Sequence, residues 1–130
     1  MRLRSRCAVA NELILIVEDN PTSVKLLRDT LQVKGYRTIE AGTGEEGIQL
    51  ARDQQPALIL MDIQLAGISG VEAFRQLRAD SATRSIPFIA VTASEREKIM
   101  PAGFDGFQGK PISVRELLEM VRGLLEKSAA

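Results

Sequence analysis

The chain has 130 residues, 45% of them hydrophobic, enough for one domain with a true core and too few for two full-sized domains. Lysine and arginine number 17, as do aspartate and glutamate, so net charge gives no reason to expect nucleic acid as a partner. Histidine is absent and Cys7 is the only cysteine, which excludes histidine-based triads, histidine metal ligands, a phosphohistidine on this chain, and any internal disulfide or cysteine-rich metal knuckle.

Residues 1–11 read as a flexible tail. Arg2, Arg4 and Arg6 lie there, so the rest of the chain is mildly acidic. The run "CAVA" is too short for a signal-peptide core, and no stretch approaches membrane-spanning length. The expectation is a soluble, cytoplasmic protein with one domain over residues 12–127 and a short tail over 128–130.

Leu13–Val17 is an unbroken apolar run, the pattern of a central strand, and it ends on Glu18 and Asp19. Asn20 and Pro21 then give a cap residue and a proline at the first helical position. Val24, Leu27 and Leu31 recur at helical spacing until Gly35. "YRTIEA" (36–41) is a second, shorter strand, and Thr43 with Glu46 predicts a capping box for a helix carrying Ile48, Leu50 and Ala51 on its apolar side. "ALILMD" (57–62) is a third strand and again ends on an acid, Asp62. Ser69 and Glu72 open the next helix, with Phe74 and Leu77 facing inward.

A fourth strand over Ile86–Val91 ends on Thr92. "FDGFQGKP" (104–111) holds a weak fifth strand and then Lys110-Pro111. Ser113 and Glu116 cap the final helix, whose stripe is Val114, Leu117, Leu118, Val121, Leu124 and Leu125. Strand and helix alternate five times, and strands 1, 3 and 4 lack polar alternation. That predicts an α/β fold, a doubly wound five-stranded parallel sheet covered on both faces. The functional crevice of such a sheet lies beyond the carboxyl ends of its strands.

Glu18, Asp19, Asp62, Thr92 and Lys110 all leave strands at that end. Alone, each has an ordinary reading as a turn residue, a cap or surface decoration; four strand ends with complementary chemistry outweigh those readings together. Three clustered carboxylates repel unless a cation compensates, and an all-oxygen donor set suits Mg²⁺, with Mn²⁺ as a substitute. A carboxylate can attack phosphorus to give an aspartyl phosphate, whose phosphoryl oxygens then need charge compensation. Asp62 is the best-placed nucleophile, Glu18 and Asp19 the ion holders, Thr92 a hydroxyl donor and Lys110 a point charge for an anionic oxygen.

Through "ILIVEDNP" (14–21), "LILMDIQLAGISG" (58–70), "IPFIAVTA" (86–93) and "AGFDGFQGKP" (102–111), the sequence resembles a bacterial two-component response-regulator receiver domain. The likeness covers roughly residues 13–125. It implies the (βα)5 flavodoxin-like receiver fold in a single-domain, stand-alone protein. It further implies that Asp62 is phosphorylated and that Glu18, Asp19, Asp62 and the backbone carbonyl of Gln64 hold the metal. Thr92 and Phe107 form the switch pair, Lys110 is followed by a cis Pro111, and Gln64 and Ser94 tune phosphoryl lifetime. The implied partner is a histidine kinase or a histidine phosphotransfer protein, with a further protein target downstream. No direct nucleic-acid or membrane contact is expected, and the protein would be a monomer or weak dimer. It would promote only its own phosphorylation and dephosphorylation, not turnover of a separate substrate.

Two departures stand out. Ala66 replaces a common proline, and only eight residues, 94–101, separate Ala93 from Ala102, about a turn less than usual, with Pro101 among them. The fourth helix is therefore expected to be short, displaced or unwound. Two other readings stay open: a degenerate receiver acting as a phosphorylation-independent adaptor, and a small hydrolase with an aspartyl-phosphate intermediate. The short connections leave little material for a substrate cap, which disfavours the hydrolase.

Overall fold

The strands are β1 (Leu13–Val17), β2 (Arg37–Ala41), β3 (Leu58–Asp62), β4 (Phe88–Thr92) and β5 (Gly106–Gly109), all parallel in the order β2-β1-β3-β4-β5. The helices are α1 (Pro21–Val33), α2 (Gly44–Gln54), α3 (Gly70–Ala79) and α4 (Val114–Ala129). This computed structural model describes residues 12–64, 67–92, 104–109 and 112–129. The 94–101 segment, Lys110 and Pro111 lie outside the described residues, as does the expected tail over 1–11. The doubly wound parallel sheet expected from the sequence is therefore present.

The apolar strands alternate between two separate layers. Ile14, Ile16, Leu58, Leu60, Ile89 and Val91 meet Leu27 and Leu31 of α1 and Leu117, Val121 and Leu125 of α4. Leu15, Val17, Ile59, Met61, Phe88 and Ala90 meet Ile48 and Ala51 of α2 and Ala73, Phe74 and Leu77 of α3. Both faces are covered, which is why the central strands carry apolar residues at every position. The stripe of α4 is spent on the sheet, except that Val114 at its head is 41% exposed.

Element ends differ from the expectation in small ways. Tyr36 still donates its N–H to the Leu31 carbonyl (3.3 Å) and belongs to the helix exit, so β2 begins at Arg37. Ile86 donates to Thr83 O (3.1 Å) within a turn, so β4 starts at Phe88. β3 begins one residue later than expected, at Leu58. α4 continues to Ala129, into the stretch expected to be tail. The capping boxes are one-armed. Thr43, Ser69 and Ser113 accept from Glu46, Glu72 and Glu116 N–H at 3.1, 3.2 and 3.4 Å. The Glu46 carboxylate instead takes the Gly42 N–H (2.9 Å), and that of Glu72 turns to Arg75 and Gln76.

β5 is fixed at its start by a polar knot. Arg78 donates to Arg84 O (2.8 Å), Ile86 O (2.9 Å) and the Asp105 carboxylate (2.5 Å), with its guanidinium 4.8 Å from the Phe74 ring centre. Asp105 also accepts the Phe88 N–H (2.9 Å), and Phe104 stacks on Phe88 at 5.3 Å. The chain thus re-enters the sheet beside β4 at a determined register.

Candidate metal and phosphoryl site

β1 and β3 are adjacent, with Val17 opposite Met61, so the residues following both strands emerge side by side. Glu18 continues the β1 line, its N–H donating to Ala41 O (3.0 Å), and is 3% exposed. Asp62, the last residue of β3, is 5% exposed. Asp19 is exposed. One carboxylate oxygen from each of the three lies within 4.8 Å of the others, the convergence expected from the strand ends.

Local backbone geometry holds these acids in place. Asn20 N–H donates to Glu18 Oε2 (3.2 Å) and Gln64 N–H to Asp62 Oδ1 (3.0 Å). Capping of α1 falls to Asn20, whose side chain accepts the N–H groups of Thr22 (2.9 Å) and Ser23 (3.2 Å). Asp19 is thereby released from a capping role. On the α3 side, a Cβ at position 70 would meet the Asp62 carbonyl at 2.6 Å, so glycine lets the helix start directly behind the site.

Three like charges at this spacing cost on the order of 1 kcal/mol per pair even in water, and more where two are buried. The donors are all hard oxygens, partly open to solvent through Asp19, and no softer ligand belongs to the cluster. That set fits a small divalent cation that keeps some of its water. Thr92 ends β4 next to the site, in register with Gly109 of β5. Phe107 is half-buried against the α2/α3 layer and pairs with Ala90. Gln64 is exposed. Ser94, Lys110 and Pro111 lie outside the described residues.

A parallel α/β sheet with clustered carboxylates at its carboxyl edge defines a metal-dependent site for anionic, phosphate-like chemistry. The family model described as the response regulator receiver domain matches residues 14–122, and the chain belongs to that family. It is 43% identical over 116 residues to the polar-differentiation response regulator DivK of Brucella ovis, covering 86% of this chain and 94% of that protein.

Among solved structures it resembles the receiver domain of the sensor histidine kinase PA1611 from Pseudomonas aeruginosa. The TM-score is 0.84 at 32% identity, over 90% of this chain and 99% of that one, and that structure has a magnesium ion coordinated in its active site cleft. The fold also matches chemotaxis response regulator CheY4 of Vibrio cholerae, with a TM-score of 0.82 at 24% identity over 88% of this chain and 99% of that one. The protein is thus a phosphoaccepting receiver module that works with a histidine kinase or phosphotransfer partner, and not a turnover enzyme. Among the described residues no helix is long and apolar enough to cross a membrane.

Proposed function

We propose that Asp62 accepts a phosphoryl group from a phosphohistidine on the partner. The reading rests on one observation: Glu18, Asp19 and Asp62 converge within 4.8 Å at the carboxyl edge of the sheet. Glu18, Asp19, Asp62 and the Gln64 carbonyl would hold Mg²⁺. When bound, that ion supplies charge compensation for the carboxylates and for a phosphoryl oxygen.

One Asp62 oxygen attacks phosphorus in line, the P–N bond breaks, and its electron pair leaves with the imidazole nitrogen. Asp62 is suited to this because its other oxygen is already oriented by the Gln64 N–H. Glu18 is held by the Asn20 N–H and is too buried to turn away. Lys110 takes a second phosphoryl oxygen and the Thr92 hydroxyl a third. Movement of Thr92 and Phe107 then biases a protein-docking surface around β4 and β5. Gln64 and Ser94 set access of the hydrolytic water. The family's switching role for Phe107 fits its half-buried position on β5.

The test is incubation with acetyl phosphate and Mg²⁺, followed by rapid mass measurement. One phosphoryl group per chain in the parent and none in Asp62→Asn is the expected result. An unlabelled parent, or labelling that persists in Asp62→Asn, rejects Asp62 as the acceptor.

A further inference from the structure

We infer that the first turn of α2 is a spacer that sets the separation of the carboxylates, with Gly44 and Ile68 as its contact pair. This rests on the proposed site. The three acids come from two chain segments, the end of β1 and the end of β3, and α2 touches both. On one side, a Cβ at position 47 would meet Val17, the residue before Glu18, at 2.7 Å. On the other, a Cβ at Gly44 would lie 2.8 Å from Ile68 Cγ1, 3.3 Å from its Cδ1 and 3.2 Å from its carbonyl oxygen. Ile68 belongs to the stretch between Asp62 and α3, half-buried against the α2/α3 layer.

The next helical residue makes the contact wider. Gly67 has φ of 80°, and a Cβ there would come within 2.6 Å of a Glu45 carboxylate oxygen. The same turn is tied back to the β1 end. Glu46 accepts the Gly42 N–H (2.9 Å), and Gly42 follows Ala41, whose carbonyl receives the Glu18 N–H (3.0 Å). Gly44 and Gly47 stand three apart, on one helical face. Two glycines in the first turn of an 11-residue helix disfavour the helix itself, so close approach is what they supply. None of these residues belongs to the carboxylate cluster. They are positioning residues, acting through the backbone that carries Glu18 and Asp62.

A double-mutant cycle tests the spacer. Gly44→Ala overfills the contact, Ile68→Ala opens it, and in the pair the new methyl no longer meets the Cγ1 and Cδ1 atoms it would overlap. Mg²⁺ affinity by calorimetry and the rate of Asp62 labelling by acetyl phosphate are read beside thermal unfolding. Supporting positions of metal sites typically change affinity by about 10-fold when altered. Each single variant should therefore bind Mg²⁺ and label about 10-fold more weakly, and the double variant should recover to within about 3-fold of the parent.

Gly44→Ala should lose more affinity than its change in thermal stability accounts for, because alanine's helix preference of about 1 kcal/mol offsets part of the cost of the overlap while the spacing stays disturbed. A purely structural role would move stability and affinity together. Single variants that bind and label like the parent, or a double variant showing the summed losses, overturn the inference. Ile68→Ala, which only truncates a half-buried side chain, carries the test if Gly44→Ala does not fold. A parent that neither binds Mg²⁺ nor labels rejects the site itself. A parent that labels while all variants match it rejects only the spacer.

Discussion

Gln108 gives the sharpest stability prediction. It stands on β5 opposite Val91, and Val91 lies in the apolar layer shared with Leu117 of α4. In-register neighbours of a sheet share a face, so the Gln108 amide enters that layer. It is 4% exposed, and among the described residues its Oε1 is the one buried side-chain atom that accepts no hydrogen bond. A buried acceptor left without a partner costs about 1–3 kcal/mol. Leucine has similar bulk and no polar atom, so Gln108→Leu should stabilise the domain by about that amount. Each kcal/mol shifts Tm by about 3–5 °C for a chain of this size, giving a rise of roughly 3–15 °C.

Thermal and urea unfolding without Mg²⁺ measure this directly, with an unchanged urea m-value showing that only stability has moved. Gln108→Glu should go sharply the other way, since it places a charge in the same layer. A Gln108→Leu protein that melts at or below the parent temperature refutes the cost assigned to the unsatisfied amide oxygen on β5.

Asp62→Asn should raise the Tm of the metal-free protein, by relief of about 1 kcal/mol of repulsion with each of Glu18 and Asp19, and should shrink the further rise produced by Mg²⁺; melts with and without the ion check both. Asp105→Ala removes the acceptor shared by Arg78 and the Phe88 N–H and should cost about 2 kcal/mol, whereas Asp105→Asn, which can still accept from Phe88, should cost about half that in urea unfolding. Asn20→Ala strips the α1 cap and should cost about 1 kcal/mol by the same measurement. The Ala82 N–H and then the Arg52 guanidinium hold the Asp80 carboxyl below the ordinary carboxylate range. A lowered folded pKa gives stability that is present above the unfolded pKa and lost as pH falls through the folded one. Asp80→Asn should therefore flatten the acid limb of a stability–pH curve, and a limb of unchanged slope would remove Asp80 from its cause.

The sheet was legible because covering both faces forces long apolar runs, and no loop or amphipathic helix shares that signature. The acids were legible for a related reason: Glu18 and Asp62 end such runs at positions where a carboxylate is costly to bury, so their presence signals a compensating ligand. The cap of α1 was open between Asp19 and Asn20 in the sequence, and the structure gives it to Asn20. What sequence could not supply was contact across elements. The Gly44–Ile68 approach joins residues 24 positions apart, and the knot of Arg78 with Asp105 spans 27. Composition marks neither, because an exposed-looking arginine and a helical glycine each have many ordinary uses.

The capping boxes show the same limit at short range. The spacing of Thr43 and Glu46 correctly placed the start of α2, yet the glutamate's partner, Gly42, depends on how the turn from β2 is folded. That detail matters for the site. The turn it closes is continuous with Ala41, and Ala41 holds the Glu18 backbone. Local hydrogen bonding at the head of α2 is therefore coupled to the placement of a buried acid on another strand. The carboxylates can be read one strand end at a time, but their separation is a property of the helix lying across them.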